Sequence, residues 1–109
     1  MTATAWSVAL VGVDGALVQV EASIGGGLPR TVLVGLPDAS LYEARDRCKA
    51  AMQGAGRSWP DHLVTINLSP ATLPKAGSHY DLAIAAAVMA AQGSVSPQLL
   101  TGSVMLGEL

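Results

Sequence analysis

Two Val-rich extended runs open the chain, Trp6–Val13 and Ala16–Ala22, joined by Asp14-Gly15. An Asp-Gly link of two residues favours a type I′ turn, because both central positions need positive φ, so these runs predict a β-hairpin. Gly25-Gly26-Gly27 connects the hairpin to a third strand, Thr31–Gly35, which Pro37 and Asp38 end. Ser40-Leu41-Tyr42-Glu43 has the form of a capping box, in which serine takes the Glu43 amide and the carboxylate reaches back. Leu41, Ala44, Cys48, Ala51 and Ala55 follow at three- and four-residue spacing, the stripe of a helix packed on one face. Gly54 and Gly56 are its candidate stops. A fourth strand, Leu63–Leu68, alternates only weakly and is expected to be buried on both faces.

After Ser69-Pro70 comes a loop, Ala71–Ser78, and then a helix over Tyr80–Ala91 that is apolar beyond Asp81. A helix apolar all round belongs in the middle of a core. Gly93 ends it, Pro97 sits in a turn, and Ser103–Leu109 predicts the start of a fifth strand, so the chain reads as truncated at its C-terminus. The predicted order is β-β-β-α-β-α-β. That makes residues 1–109 a single α/β (α+β) domain, a mixed sheet with helices packed on it.

Composition narrows what this module can be. Half of the 109 residues are apolar, mostly Ala, Val and Leu; Phe is absent and only Trp6, Trp59, Tyr42 and Tyr80 are aromatic. Small side chains suit close helix-on-sheet packing better than a wide ligand pocket. Charged residues are 13% of the chain, below the quarter usual for a free-standing domain, which predicts a surface partly covered by more protein. A net charge of −2 leaves no bulk electrostatic footprint for nucleic acid, so any such contact must be local. The single cysteine excludes an internal disulfide, no apolar run approaches membrane-spanning length, and the start of the chain has no signal-peptide pattern, so the expected location is cytoplasmic.

Candidate chemistry is sparse. The triple glycine lacks the Lys-Ser/Thr of a phosphate loop, and no helix starts behind it. His62 and His79 have no ligands at metal spacing, and Cys48 sits on the apolar stripe as packing. Arg45, Arg47 and Lys49 form a basic cluster on the first helix, with Arg45 and Lys49 on one side, partly neutralised by Glu43 and Asp46. Its candidate role is contact with an anion, a phosphate backbone or an acidic neighbouring subunit. Lys75, Gly77, Ser78, His79 and Asp81 lie within seven residues, but neighbours in sequence rarely form a catalytic triad. Asp81, and with it Ser78, is better explained as capping the second helix.

Four motifs then occur in order: Val34-Gly35-Leu36-Pro37-Asp38; Glu43-Ala44-Arg45-Asp46-Arg47; Ile66-Asn67-Leu68-Ser69-Pro70-Ala71; and Lys75-Ala76-Gly77 followed by Asp81-Leu82-Ala83-Ile84-Ala85. Over essentially the whole chain they resemble the N-terminal domain of the Mg-chelatase-like AAA+ ATPases, the YifB/ComM family. The closing Leu106-Gly107-Glu108-Leu109 resembles the beginning of a further family motif. The resemblance implies a cytoplasmic bacterial ATPase or helicase that forms a homo-oligomeric ring on DNA and assists branch migration in recombination or transformation. Its ATP and Mg2+ would be held in a central domain. No Walker-type loop occurs in these 109 residues, so no cofactor is assigned to them.

The resemblance also implies a Lon-peptidase-like fold. In that alignment His79 takes the nucleophile's place and Ser78 stands one residue early, a rotation of roughly 100° at a helix entrance. The partner lysine would lie beyond Leu109, so Lys75, Gly77, Ser78 and His79 form a degenerate peptidase-like loop. Ala76, Cys48 and Ala83 depart from the residues common in the family, and Tyr42 and Asp46 make the first helix less basic. The preferred expectation is a non-catalytic accessory domain of a DNA-acting ATPase, with Arg45, Arg47, Lys49 and Lys75 as contacts to DNA or to a neighbouring subunit. The alternatives are an interaction domain that only builds the ring or recruits a partner, and a Lon-like serine peptidase using Ser78.

Overall fold

The computed structural model describes residues 1–36, 38–70, 73, 75 and 78–109. Strands β1 (Thr2–Val11), β2 (Asp14–Gly25), β3 (Arg30–Val34) and β4 (Leu63–Ser69) form one mixed sheet in the order β1-β2-β4-β3. β2 is antiparallel to both β1 and β4, whereas β3 runs parallel to β4 across the crossover helix α1 (Asp38–Gly54). Helix α2 (Asp81–Ala91) lies across β1 and β2, and α1 packs on α2 and β3. Both helices are therefore on one side, in a two-layer α+β arrangement.

The buried sheet face explains why α2 can lie so close. β1 contributes Ala3, Ala5, Ser7 and Ala9, β2 contributes Val18, Val20 and Ala22, and β4 contributes Val64, Ile66 and Leu68. Against this surface α2 sets Ala83, Ile84, Ala87, Val88 and Ala91. Alanine against alanine permits close backbone approach, and the branched residues fill the remainder. Helix α1 ends in two hydrogen bonds, Gly56 N to Gln53 O and Arg57 N to Met52 O, and α2 ends in the same pair at Gly93 and Ser94. Both are Schellman stops at the predicted glycines.

Several sequence expectations are corrected. The hairpin turns at Gly12-Val13, because Val11 pairs with Asp14 and Asp14-Gly15 lies inside β2. Gly12 has φ +65° and Val13 does not have positive φ, the pattern of a type II′ turn with glycine first. Moving the turn by two residues shifts the register by an even number, so the alternation of inward residues could not distinguish the two sites. β4 is not buried on both faces: Val64, Ile66 and Leu68 point inward while Asn67 is exposed, since nothing described here covers the other side. Helix α1 begins at Asp38, which puts Ser40 inside its first turn and not at a capping position. The buried stripe is Ala44, Cys48 and Met52; Ala55 is exposed beyond the helix end.

The predicted fifth strand is also absent. Residues 103–109 carry no regular secondary structure, and Met105 N donates to Trp6 O on the outer edge of β1. The next outward carbonyl, that of Val8, is taken by His79 Nε2 at 2.7 Å. Pairing stops there, and Gly107 turns to exchange hydrogen bonds with His79 O and Leu82 N at the start of α2. On the opposite edge Gly35, at φ +102°, passes so close to β4 that a Cβ would run into the Leu68 carbonyl.

Among the described residues one buried side-chain group is left unsatisfied. Ser7 is fully buried between β1 and α2, and its hydroxyl has no hydrogen-bond partner among them. An orphan buried hydroxyl costs about 1–3 kcal/mol of desolvation. Ser7→Ala removes it at almost unchanged volume, so the variant is expected to be more stable than the parent by about 1 kcal/mol in urea unfolding. A loss of stability on Ser7→Ala contradicts this assignment.

Candidate functional site

Helix α1 presents three working faces. Ala44, Cys48 and Met52 enter the core. Glu43 and Arg47 turn towards the start of α2, and Tyr42, Arg45, Lys49 and Gln53 turn towards β3. The charges grouped by the sequence are thereby separated.

Arg47 is engaged inside the protein. Its Nε donates to Asp81 Oδ2 at 2.6 Å and its Nη2 to Asp81 Oδ1 at 3.0 Å, a bidentate pair with a carboxylate only 1% exposed. Leu109 N adds a third bond to Asp81 Oδ2 at 3.2 Å. The hydrogen bond to Asp81 raises the Arg47 pKa; burial opposes this, and the charges of Asp81, Glu108 and Glu43 add to it. Asp81 is the first residue of α2, where a carboxylate complements the dipole, but its side chain caps no helix amide. Leu82 N bonds to Gly107 O instead, so the expected capping role of Asp81 is replaced by the grip on Arg47.

The peptidase-like loop is likewise dispersed. Lys75 is buried, and its ammonium donates to Pro70 O at 2.6 Å and Leu73 O at 3.0 Å, with desolvation lowering its pKa. His79 holds the β1 edge and tilts against the Tyr80 ring at 4.1 Å. Ser78 borders a recess of about 280 Å³ together with Ser40, Glu43, Arg47 and Asp81. Among the described residues no hydrogen bond joins Ser78 to Lys75 or His79; Gly77 lies outside them.

Arg45 and Lys49 are joined by a residue that sequence reasoning missed. Arg30, at the start of β3, lines with them a groove of about 410 Å³ between that edge strand and α1, walled also by Tyr42. Only the parallel β3–α1–β4 crossover brings Arg30 here, and nothing local in the sequence marks it. The Arg45 guanidinium lies 5.1 Å over the Tyr42 ring and 3.1 Å from Asp46. Lys49 lies 5.8 Å over Trp59, whose Nε1 donates to Thr31 Oγ1 at 3.0 Å and ties the loop after α1 to β3. A second recess of about 360 Å³, containing Gln53, Trp59, Asp61 and His62, shares Arg30, Thr31 and Lys49 with the first. Among the described residues no group of three or more His, Cys, Asp or Glu is placed to hold a metal ion. None of the described helices is long and apolar enough to cross a membrane.

Residues 20–109 match the family described as subunit ChlI of Mg-chelatase. An uncharacterised protein of Mycobacterium tuberculosis is 54% identical over 105 residues, 96% of this chain and 21% of its own length. The Escherichia coli protein YifB is 43% identical over 101 residues, 93% of this chain and 20% of its own. The competence protein ComM of Haemophilus influenzae is 37% identical over 107 residues, 98% of this chain and 21% of its own. The chain belongs to this Mg-chelatase-like family of YifB and ComM and corresponds to its N-terminal domain. It spans about a fifth of the length of these relatives.

Cys48 allows a test of how tightly α1 is seated. Burial, aided by the Asp81 charge and opposed by Arg47, pushes its thiol up to about 12 from 9.0. The folded-state value is above the ordinary one, so the stability this group confers is intact below pH about 9 and falls as pH rises towards 12. Alkylation by iodoacetamide at pH 8 is expected to be at least ~100-fold slower in the native protein than in urea, because the thiolate is the nucleophile. Equal rates contradict the burial.

Proposed function

We propose that this module is a non-catalytic accessory domain of a DNA-acting AAA+ ATPase, and that the groove between β3 and α1 is its contact with a phosphate backbone. One observation carries the reading. Three of the six cations, Arg30, Arg45 and Lys49, converge on one groove, and among the described residues that line it none is a carboxylate, in a chain whose net charge is −2. Arg47 and Lys75 are left out because both are committed to internal partners; Arg45 also pairs, with Asp46, but that carboxylate is itself 68% exposed. β3 is an edge strand among the described residues, and the outer side of such a strand offers backbone amides that can add to an anion site. Family membership supports the rest: a parent ring of identical subunits with ATP and Mg2+ in another domain, acting in branch migration during recombination or transformation. The name of the competence protein ComM agrees with transformation. We read the fold as Lon-peptidase-like, with the peptidase loop put to structural use by Lys75 and His79.

A second reading has its own support. The sheet face opposite the helices carries exposed Leu10 (75%) and Leu17 (59%), apolar positions suited to covering by a neighbouring subunit or domain. On that reading the domain builds the ring and does not touch DNA. Fluorescence anisotropy with single-stranded and branched DNA at low and moderate salt separates the two. The triple variant Arg30→Ala, Arg45→Ala, Lys49→Ala is expected to bind at least ~10-fold more weakly and to reduce the log–log salt slope by about 2 on single strands and nearly 3 on duplex arms, as loss of three phosphate contacts requires. Arg57→Ala, outside the groove, should leave both unchanged. Absence of binding at low salt, or binding indifferent to the triple change, rules out the DNA contact.

A further inference from the structure

We infer that the groove takes a single strand of DNA in preference to a duplex, with an unpaired base stacked on Tyr42. This rests on the DNA-contact reading above and assigns the substrate class of the same groove. Tyr42 is one of four aromatic residues in the chain, and it is 62% exposed. A large ring left in water at the wall of a cationic groove serves no purpose in the core. One of its faces is covered by the Arg45 guanidinium at 5.1 Å. The residue as a whole nevertheless stays mostly open to solvent. Tyr42, Arg45 and Lys49 follow at three- and four-residue spacing, so ring and charges share one flank of α1. Arg45 and Lys49 stand about 6 Å apart along the helix axis, placed to follow the backbone of one strand.

Geometry and chemistry both disfavour a duplex. The groove holds about 410 Å³ between β3 and α1, within the range that encloses a drug-sized molecule. That admits a nucleotide or two, whereas a double helix can only touch the rim. In a duplex, moreover, each base is already stacked between its neighbours and offers no π-face, so the Tyr42 ring contributes nothing to its binding. An unpaired base does offer one, and such stacking tolerates any sequence because every base has a π-face. The sandwich of base, Tyr42 and Arg45 combines stacking with a cation–π contact.

The test compares a labelled twenty-nucleotide oligo(dT) with a blunt twenty-base-pair duplex, by anisotropy at low salt. The intact chain is expected to bind oligo(dT) at least ~10-fold more tightly than the duplex. Tyr42→Ala should remove on the order of tenfold from oligo(dT) affinity and leave the duplex unchanged, the usual scale for one stacked base. Tyr42→Phe should keep the preference, because the ring and not the hydroxyl does the stacking. Both changes lie on an exposed helix position, and superimposable circular dichroism verifies the fold. If Tyr42→Ala lowers both affinities equally, or neither, while the Arg30, Arg45, Lys49 triple variant weakens both, the single-strand inference is overturned and the phosphate contact stands. If neither DNA binds at low salt, both are overturned together.

Discussion

The bidentate pair between Arg47 and Asp81 is the constraint on which the arrangement of this domain depends. It joins the middle of α1 to the first residue of α2 and takes in the Leu109 amide, so three segments distant in sequence meet at one carboxylate. A planar guanidinium against a planar carboxylate fixes orientation as well as distance, which a point charge such as lysine does not do. Removing water from Asp81 is expensive, and the three hydrogen bonds offset that cost. Glu43, at 3.8 Å from Arg47, adds a weaker contact from the preceding turn.

Orientation of α1 has a consequence on its far side. Once Arg47 faces α2 and Cys48 faces the core, the helical period leaves Tyr42, Arg45 and Lys49 directed at β3. The basic groove is thus a product of the internal ion pair together with the crossover that delivers Arg30. Trp59 closes the same region by bonding Thr31, and it supports Lys49 from below. On the other edge of the sheet, His79 plays the equivalent part. By taking the Val8 carbonyl it fixes where α2 begins, and it stops the C-terminal segment from extending the sheet. Lys75 is likewise engaged structurally, with the carbonyls of Pro70 and Leu73 in its own loop.

Much of this could be read from the sequence, and the failures have physical causes. Element order up to α2 follows from apolar periodicity, and Gly56 and Gly93 mark helix ends because the Schellman motif is a local device. The sequence does not locate the hairpin turn, because two glycine-containing dipeptides compete and an even register shift preserves the faces. In β4, Leu63 and Thr65 blur the alternation, and no single strand reveals how many layers cover a sheet. The candidate site was legible only as a cluster on α1. Separation of Arg47 from Arg45 and Lys49 follows from the helical period, but the choice of which side faces Asp81 is tertiary. Arg30 and Trp59 were invisible as site residues, since each reaches the groove through long-range topology.

The most direct measurement of this account is a double-mutant cycle on Arg47→Ala and Asp81→Ala, followed by urea unfolding. Arg47→Ala should cost about 3–5 kcal/mol, because it leaves the buried Asp81 carboxylate without its counter-charge, and Asp81→Ala should cost less, because the Arg47 side chain is 26% exposed and can return to water. The double variant should lose clearly less than the two losses added together, giving a coupling of about 2 kcal/mol or more. Single losses below about 1 kcal/mol that simply add would mean that the pair is incidental, and that something else holds α1 in place.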